Sequence, residues 1–239
     1  MNQTNYNDNC QKEYVPEIIA PNEPHMALVM LTDTSGSMNF CHEGKSSIEQ
    51  LNDGLNNFKT GVMKDPRTRD ILDYCHIAFD HEAHLIQDWC PIEQMNTVSL
   101  TAGGGTAFVP ALRLALDKVS ERTAFYRETI GPNFFKPWVV MITDGRNENG
   151  PSVDTIVSEV RGLDDAGKFK LWTLGVDNYD GKDLHKLTDR VIKLRDHDFS
   201  SFLDWVGKSM IVLSHSSPTE KTNLPLLPNN ADKDVNNYA

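Results

Sequence analysis

Two uninterrupted apolar runs, MALVMLT at 26–32 and WVVMIT at 138–143, constrain this chain more than any other feature. Short runs that are apolar at every position and end in polar turn residues describe strands buried on both faces, which occur where helices cover a parallel sheet. The intervening segments supply those helices. Ile48, Leu51, Leu55, Phe58 and Val62 recur at steps of three and four after Ser46, and Pro66 closes that segment. Phe108, Leu112, Ala115 and Val119 mark a second helix, with Pro110 tolerated in its first turn. Ser152 caps a third carrying Val153, Ile156, Val160 and Leu163 before Gly167, and Asp198 caps a last one with Phe199, Phe202, Val206, Met210 and Leu213 inward. Residues 71–79 and 83–88 read as antiparallel strands around the turn Asp80-His81-Glu82, the second at an edge. Strands at 169–176 and 190–194 bracket a short helix at 182–187. The order β α β β α β α β α β α predicts a doubly wound, Rossmann-like three-layer α/β sandwich with a mostly parallel sheet.

One domain over 26–213 accounts for these elements, with a polar N-terminal tail at 1–25 and a disordered C-terminal tail at 214–239 whose Ser, Pro, Asn and Asp leave only Leu224, Leu226 and Leu227 to bury. The LPLLP stretch there reads as an incidental apolar patch. A net charge of -11 without a basic block excludes nucleic acid as a partner. No run is long enough to span a bilayer and no cationic leader precedes an apolar stretch, so a cytoplasmic protein without a membrane partner is expected. Cys10, Cys41, Cys75 and Cys90 lack CxxC spacing and are expected as reduced thiols; the sequence leaves a Cys75–Cys90 bridge open.

The chemistry concentrates where strands end. In TDTSGSM at 32–38, Asp33, Ser35 and Ser37 alternate along an extended turn after the first buried strand. Asp144 follows the second buried strand, and Thr106 follows Gly103-Gly104-Gly105, which lets backbone approach closely. Doubly wound sheets bind ligands beyond the carboxyl ends of their strands, where strand order reverses. Two carboxylates and three hydroxyls gathered there form an all-oxygen pocket suited to Mg²⁺, with Mn²⁺ or Ca²⁺ as alternatives, rather than Zn²⁺. Without a cation the two carboxylates would repel each other.

DTSGS at 33–37, GGGT at 103–106 and TDG at 143–145 together resemble the metal-ion-dependent adhesion site of von Willebrand factor A domains. The resemblance covers about 26–213. It implies a six-stranded sheet with one antiparallel edge strand, a metal at its top, and an acidic side chain of a protein partner completing the coordination. It also implies that Ser35, Ser37 and Thr106 are near ligands while Asp33 and Asp144 act through water. KDPRTRD, HIAFD, GGGTAFVPALRLAL, KPWVVMITDG and WTLGVD are further similar to bacterial intracellular von Willebrand A proteins associated with tellurite resistance, which implies an adaptor beside a kinase and a phosphatase in a stress system. The chain departs from the pattern in a longer loop at 39–46 and in Arg146-Asn147-Glu148 after TDG.

Two rivals share these residues. A haloacid-dehalogenase-like phosphohydrolase would use Asp33 as nucleophile, but it needs an acid two residues later and finds Ser35, which cannot donate a proton at a useful pKa. A structural subunit would use the cation only to stabilise the fold. The residues favour a binding domain that is not an enzyme. His81 and His84 are expected to be merely solvated, Trp138 and Trp172 to lie in the core, and Asp177 to serve a turn or cap.

Overall fold

The computed structural model describes residues 18–42, 44–143, 147–176, 179, 181–195 and 198–234. The first buried run is β1 (Met26–Asp33), every residue of which is buried. Its alternation divides the core in two: Met26, Leu28 and Met30 face one helical layer, and Ala27, Val29 and Leu31 face the other.

The loop at 39–46 holds a two-residue hairpin of β2 (Cys41–His42) and β3 (Lys45–Ser46). It leads into α1 (Ser47–Val62), where Ser46 and Glu49 form a reciprocal capping box. Pro66 opens a new helix rather than closing the old one. In α2 (Pro66–Ile71) it occupies the first turn, where a missing N–H costs nothing, and Asp65 accepts from the Thr68 amide as N-cap. The hairpin follows as β4 (Leu72–Phe79) and β5 (Ala83–Pro91), antiparallel as expected and three residues longer at its far end. Then come α3 (Phe108–Thr129), β6 (Trp138–Thr143), α4 (Asp154–Asp165), β7 (Lys170–Val176), α5 (Gly181–Leu187), β8 (Val191–Leu194), α6 (Phe199–Ser214) and β9 (Ala231–Lys233). The expected strands and helices are all present within a few residues.

The sheet order is β5-β4-β1-β6-β7-β8-β9, parallel except for the two edge strands. Helices α1 and α6 cover one face; α3, α4 and α5 cover the other. Strand order reverses between β1 and β6, which lie side by side with Thr32 opposite Ile142.

Three expectations need correction. The sheet has seven strands instead of six, with two antiparallel edges. The seventh, β9, lies in the segment expected to be a disordered tail. Residues 215–234 are ordered because Leu224 and Leu227 pack on the core, Trp205 Nε1 donates to the Pro225 carbonyl at 3.0 Å, and Asp234 receives Tyr179 Oη and, at 3.0 Å, His185 Nε2. The fold also begins before Met26. Ile18 packs against the core, and fully buried His25 places Nδ1 3.2 Å from Asp73 Oδ2. Cys41, Cys75 and Cys90 are free thiols, as expected, and no bridge joins Cys75 to Cys90. No helix among the described residues is long and apolar enough to cross a membrane.

Candidate metal centre

Of the expected site residues, Asp33, Ser35 and Ser37 lie together at the carboxyl end of β1, beside the end of β6. Asp33 is the last residue of β1 and is fully buried. Both of its oxygens are engaged: Oδ1 accepts from the Ser35 amide at 2.8 Å, and Oδ2 accepts from Thr143 Oγ1 at 2.6 Å. The first bond folds the chain into the turn that opens a short 3₁₀ segment at Gly36–Asn39. The second ties the ends of neighbouring strands and fixes the carboxylate behind the turn.

That turn points Ser35 and Ser37 the same way. Their Oγ atoms are 3.0 Å apart, Ser35 buried and Ser37 half-buried. The separation suits a hydrogen bond between hydroxyls. It also matches adjacent oxygens on one hard cation, about 2.8–2.9 Å apart whether in an octahedron of 2.0–2.1 Å bonds or in the equatorial plane of a pentagonal bipyramid of about 2.4 Å bonds.

The glycine run folds back over this turn through backbone bonds. Gly36 N donates to Gly104 O at 3.0 Å and Gly103 N to Thr34 O at 2.8 Å. Gly104 has φ +78°, a conformation open to glycine, and a Cβ at Gly105 would lie 1.8 Å from Asn149 Nδ2. Thr106 follows, buried, two residues before α3 rather than at its first residue; Ala107 is the N-cap. The Thr106 carbonyl accepts from Glu148 N at 2.9 Å and Asn149 N at 3.0 Å, drawing the loop after β6 toward the same place. Asp144 lies outside the described residues, as does Asp177; Asp144 is the next residue after Thr143.

Several supporting residues carry no motif signature. Thr143 could have been suspected from its place beside the strand-end acid. Asp80 could not: its carbonyl receives Ala107 N at 2.6 Å, bracing the loop from the β4–β5 turn. Burial pushes the Asp80 carboxyl up, but the Glu82 amide and the His84 and His81 side chains outweigh it and hold it below the usual range. His81 and His84 are exposed as expected, and each also lies within hydrogen-bond reach of Asp80, at 3.0 and 3.1 Å. His76 lies beneath the site, its Nε2 2.9 Å from Thr32 Oγ1, and burial lowers its pKa to about 4. Among the described residues no three His, Cys, Asp or Glu side chains cluster as metal ligands, so the oxygen donors here are hydroxyls around a single described carboxylate.

No protein-family model and no curated protein matches the sequence. Solved structures do match. The pilus adhesin SpaC of Lactobacillus rhamnosus GG aligns with a TM-score of 0.65 at 15% identity over 83% of this chain. A von Willebrand factor type A protein of Catenulispora acidiphila aligns at 0.57 and 16% over 79%. The vWF domain of the pilus tip protein Mfa5 of Porphyromonas gingivalis aligns at 0.57 and 10%, over 82% of this chain and 98% of that domain. The fold is that of a von Willebrand factor A domain. The chain spans 32% of SpaC and 43% of the Catenulispora protein, so in those two the shared unit is one part of a longer chain. Proximal thread matrix protein 1 from the mussel byssus, at TM-score 0.50 and 19% identity over 77% of this chain, was solved with a zinc-occupied MIDAS motif.

Proposed function

We propose that this von Willebrand A domain is a non-enzymatic, metal-dependent binding module that captures an acidic side chain of a protein partner at the carboxyl end of its sheet. The observation that carries the reading is the Ser35–Ser37 hydroxyl pair, 3.0 Å apart in front of a buried Asp33 that Thr143 and the Ser35 amide hold in place. Ser35, Ser37 and Thr106 would hold the cation, with Asp33 and Asp144 behind them. A bound hard cation supplies an electrophilic point to which a carboxylate can attach; neutral hydroxyl donors leave it under-compensated and so receptive to an anion. The all-oxygen donor set suits Mg²⁺, Mn²⁺ or Ca²⁺, with Mg²⁺ proposed first. The work of this chain is positioning: the turn orients two hydroxyls, Asp33 fixes the turn, and the glycine loop stitched to that turn leads into Thr106.

The absence of an acid at position 35 supports binding over phosphoryl chemistry, since no side chain there can protonate a leaving group. The resemblance of the motifs KDPRTRD and HIAFD extends the proposal to a cytoplasmic adaptor in a stress or tellurite-resistance system with a kinase and a phosphatase. The test is capture from native lysate in Mg²⁺. A partner retained by wild type and lost with EDTA or in Asp33→Ala is expected. Equal retention in all three would refute metal-dependent capture, and metal-dependent phosphomonoester turnover lost in Asp33→Asn would favour the hydrolase.

A further inference from the structure

A cavity of about 500 Å³ opens at the end of the sheet opposite the candidate metal centre. Pro137 and Phe169, which line it, immediately precede β6 and β7, placing it at the amino ends of the parallel strands. Its floor is apolar: Leu116, Val119 and Phe169 are buried there, with Phe134 and Leu163 half-buried beside them. Its rim carries Arg127, Lys136 and Lys168, all exposed.

None of these three cations has an acidic partner among the described residues. Asp164, on the neighbouring helix, is taken by Arg190. Two of the three are placed by other contacts. The Lys136 ammonium arches over Gly167, where a Cβ would lie 2.8 Å from Nζ, and the Arg127 guanidinium sits 5.6 Å from the centre of the Phe134 ring. Next to them Lys170 is held below the usual lysine range by burial and by the charges of Arg190 and Lys136, a sign of local positive potential on a chain of net charge -11. An apolar chamber within the usual size range of small-molecule sites, rimmed by unneutralised cations, is complementary to a ligand that is apolar in its body and anionic at its head.

We propose that this cavity binds a small amphipathic organic anion, its aromatic or aliphatic body on Leu116, Val119 and Phe169 and its carboxylate or phosphate between Lys136, Lys168 and Arg127. The site is independent of the metal reading. The probe is 8-anilinonaphthalene-1-sulfonate, titrated into the full chain by fluorescence and calorimetry. One saturable site is expected, its affinity unchanged by EDTA or by Asp33→Ala. Lys136→Glu/Lys168→Glu should weaken it at least tenfold, and Ser120→Trp should close the chamber without removing a cation. The distant double reversal Lys45→Glu/Lys208→Glu, equal in net charge change, should leave it unaltered, and circular dichroism melts establish that every variant is folded. Displacement by decanoate identifies a carboxylate ligand class and displacement by phenyl phosphate a phosphate class. Absence of saturable binding, wild-type affinity in both Lys136→Glu/Lys168→Glu and Ser120→Trp, or displacement by decanol as effective as by decanoate would overturn the proposal.

Discussion

Acidification should weaken this fold through one residue, His76. The imidazole is buried on β4 against Thr32, and burial alone lowers its pKa from 6.5 to about 4. A depressed folded-state pKa means that the unfolded chain takes up the proton first. The contribution is therefore fully present above about pH 6.5 and is lost as pH falls toward about 4. The whole shift corresponds to about 3 kcal/mol, and about 2 kcal/mol of it is lost between about pH 7.5 and about pH 5. Urea unfolding at the two pH values reads this directly, as a drop of about 0.7–1 M in midpoint for a slope of about 2–3 kcal/mol/M. Carboxylates add their own losses below pH 5; Asp65, held low by His215 and Thr68 against its burial, is one. The comparison with His76→Gln isolates the histidine, since glutamine can still bond Thr32 but does not titrate. The variant should lose about 2 kcal/mol less than wild type over the same interval, whatever its stability at neutral pH. Equal losses in the two proteins would refute the claim that His76 is kept neutral by the fold.

Three further outcomes follow from other parts of the molecule. Arg122→Met should cost about 3–5 kcal/mol, read as a fall in melting temperature of about 10 °C, because it strips buried Asp73 of a guanidinium whose Nη2 lies 2.7 Å from Oδ2; an unchanged melt would contradict this. Deleting residues 215–239 should lower the melting temperature and promote self-association, since it uncovers Trp205 and the β8 edge; a monomer as stable as the full chain would show that β9 is dispensable. Exposed Cys41 should label quickly with a thiol reagent, whereas Cys90, its thiol pushed up to about 12 by burial, and Cys75, pushed higher still, should label only in denaturant; prompt labelling of either would contradict their burial.

The parts legible in the sequence are those whose stabilisation is local or periodic. β1 and β6 are continuous apolar runs, α1 carries its own capping box, and the β4–β5 hairpin follows from a turn too short for anything else. β9 was not legible because three residues, Ala-Asp-Lys, have no period to detect. They are held by backbone bonds to β8 and by Asp234 reaching Tyr179 and His185, 55 and 49 residues away. Pro66 was ambiguous for a related reason, since the same ring that stops one helix suits the first turn of the next. Within the candidate site, Asp33, Ser35 and Ser37 were readable because a single turn brings them together. Thr106 follows a glycine loop that the Gly36 and Gly103 bonds fold back over this turn, a long-range closure the sequence does not encode locally. The supports from Thr143 and Asp80 arise from the meeting of segments distant in sequence. Asp144 remains placed by its sequence position after Thr143.

The strand-end hydroxyls are expected to bind one cation. Calorimetric titration of the metal-stripped chain with Mn²⁺, and then with Mg²⁺, should show one site per chain. Ser35→Ala/Ser37→Ala and Asp33→Ala should each abolish that site while keeping the wild-type circular dichroism spectrum. Binding that persists undiminished in both folded variants would contradict the central claim.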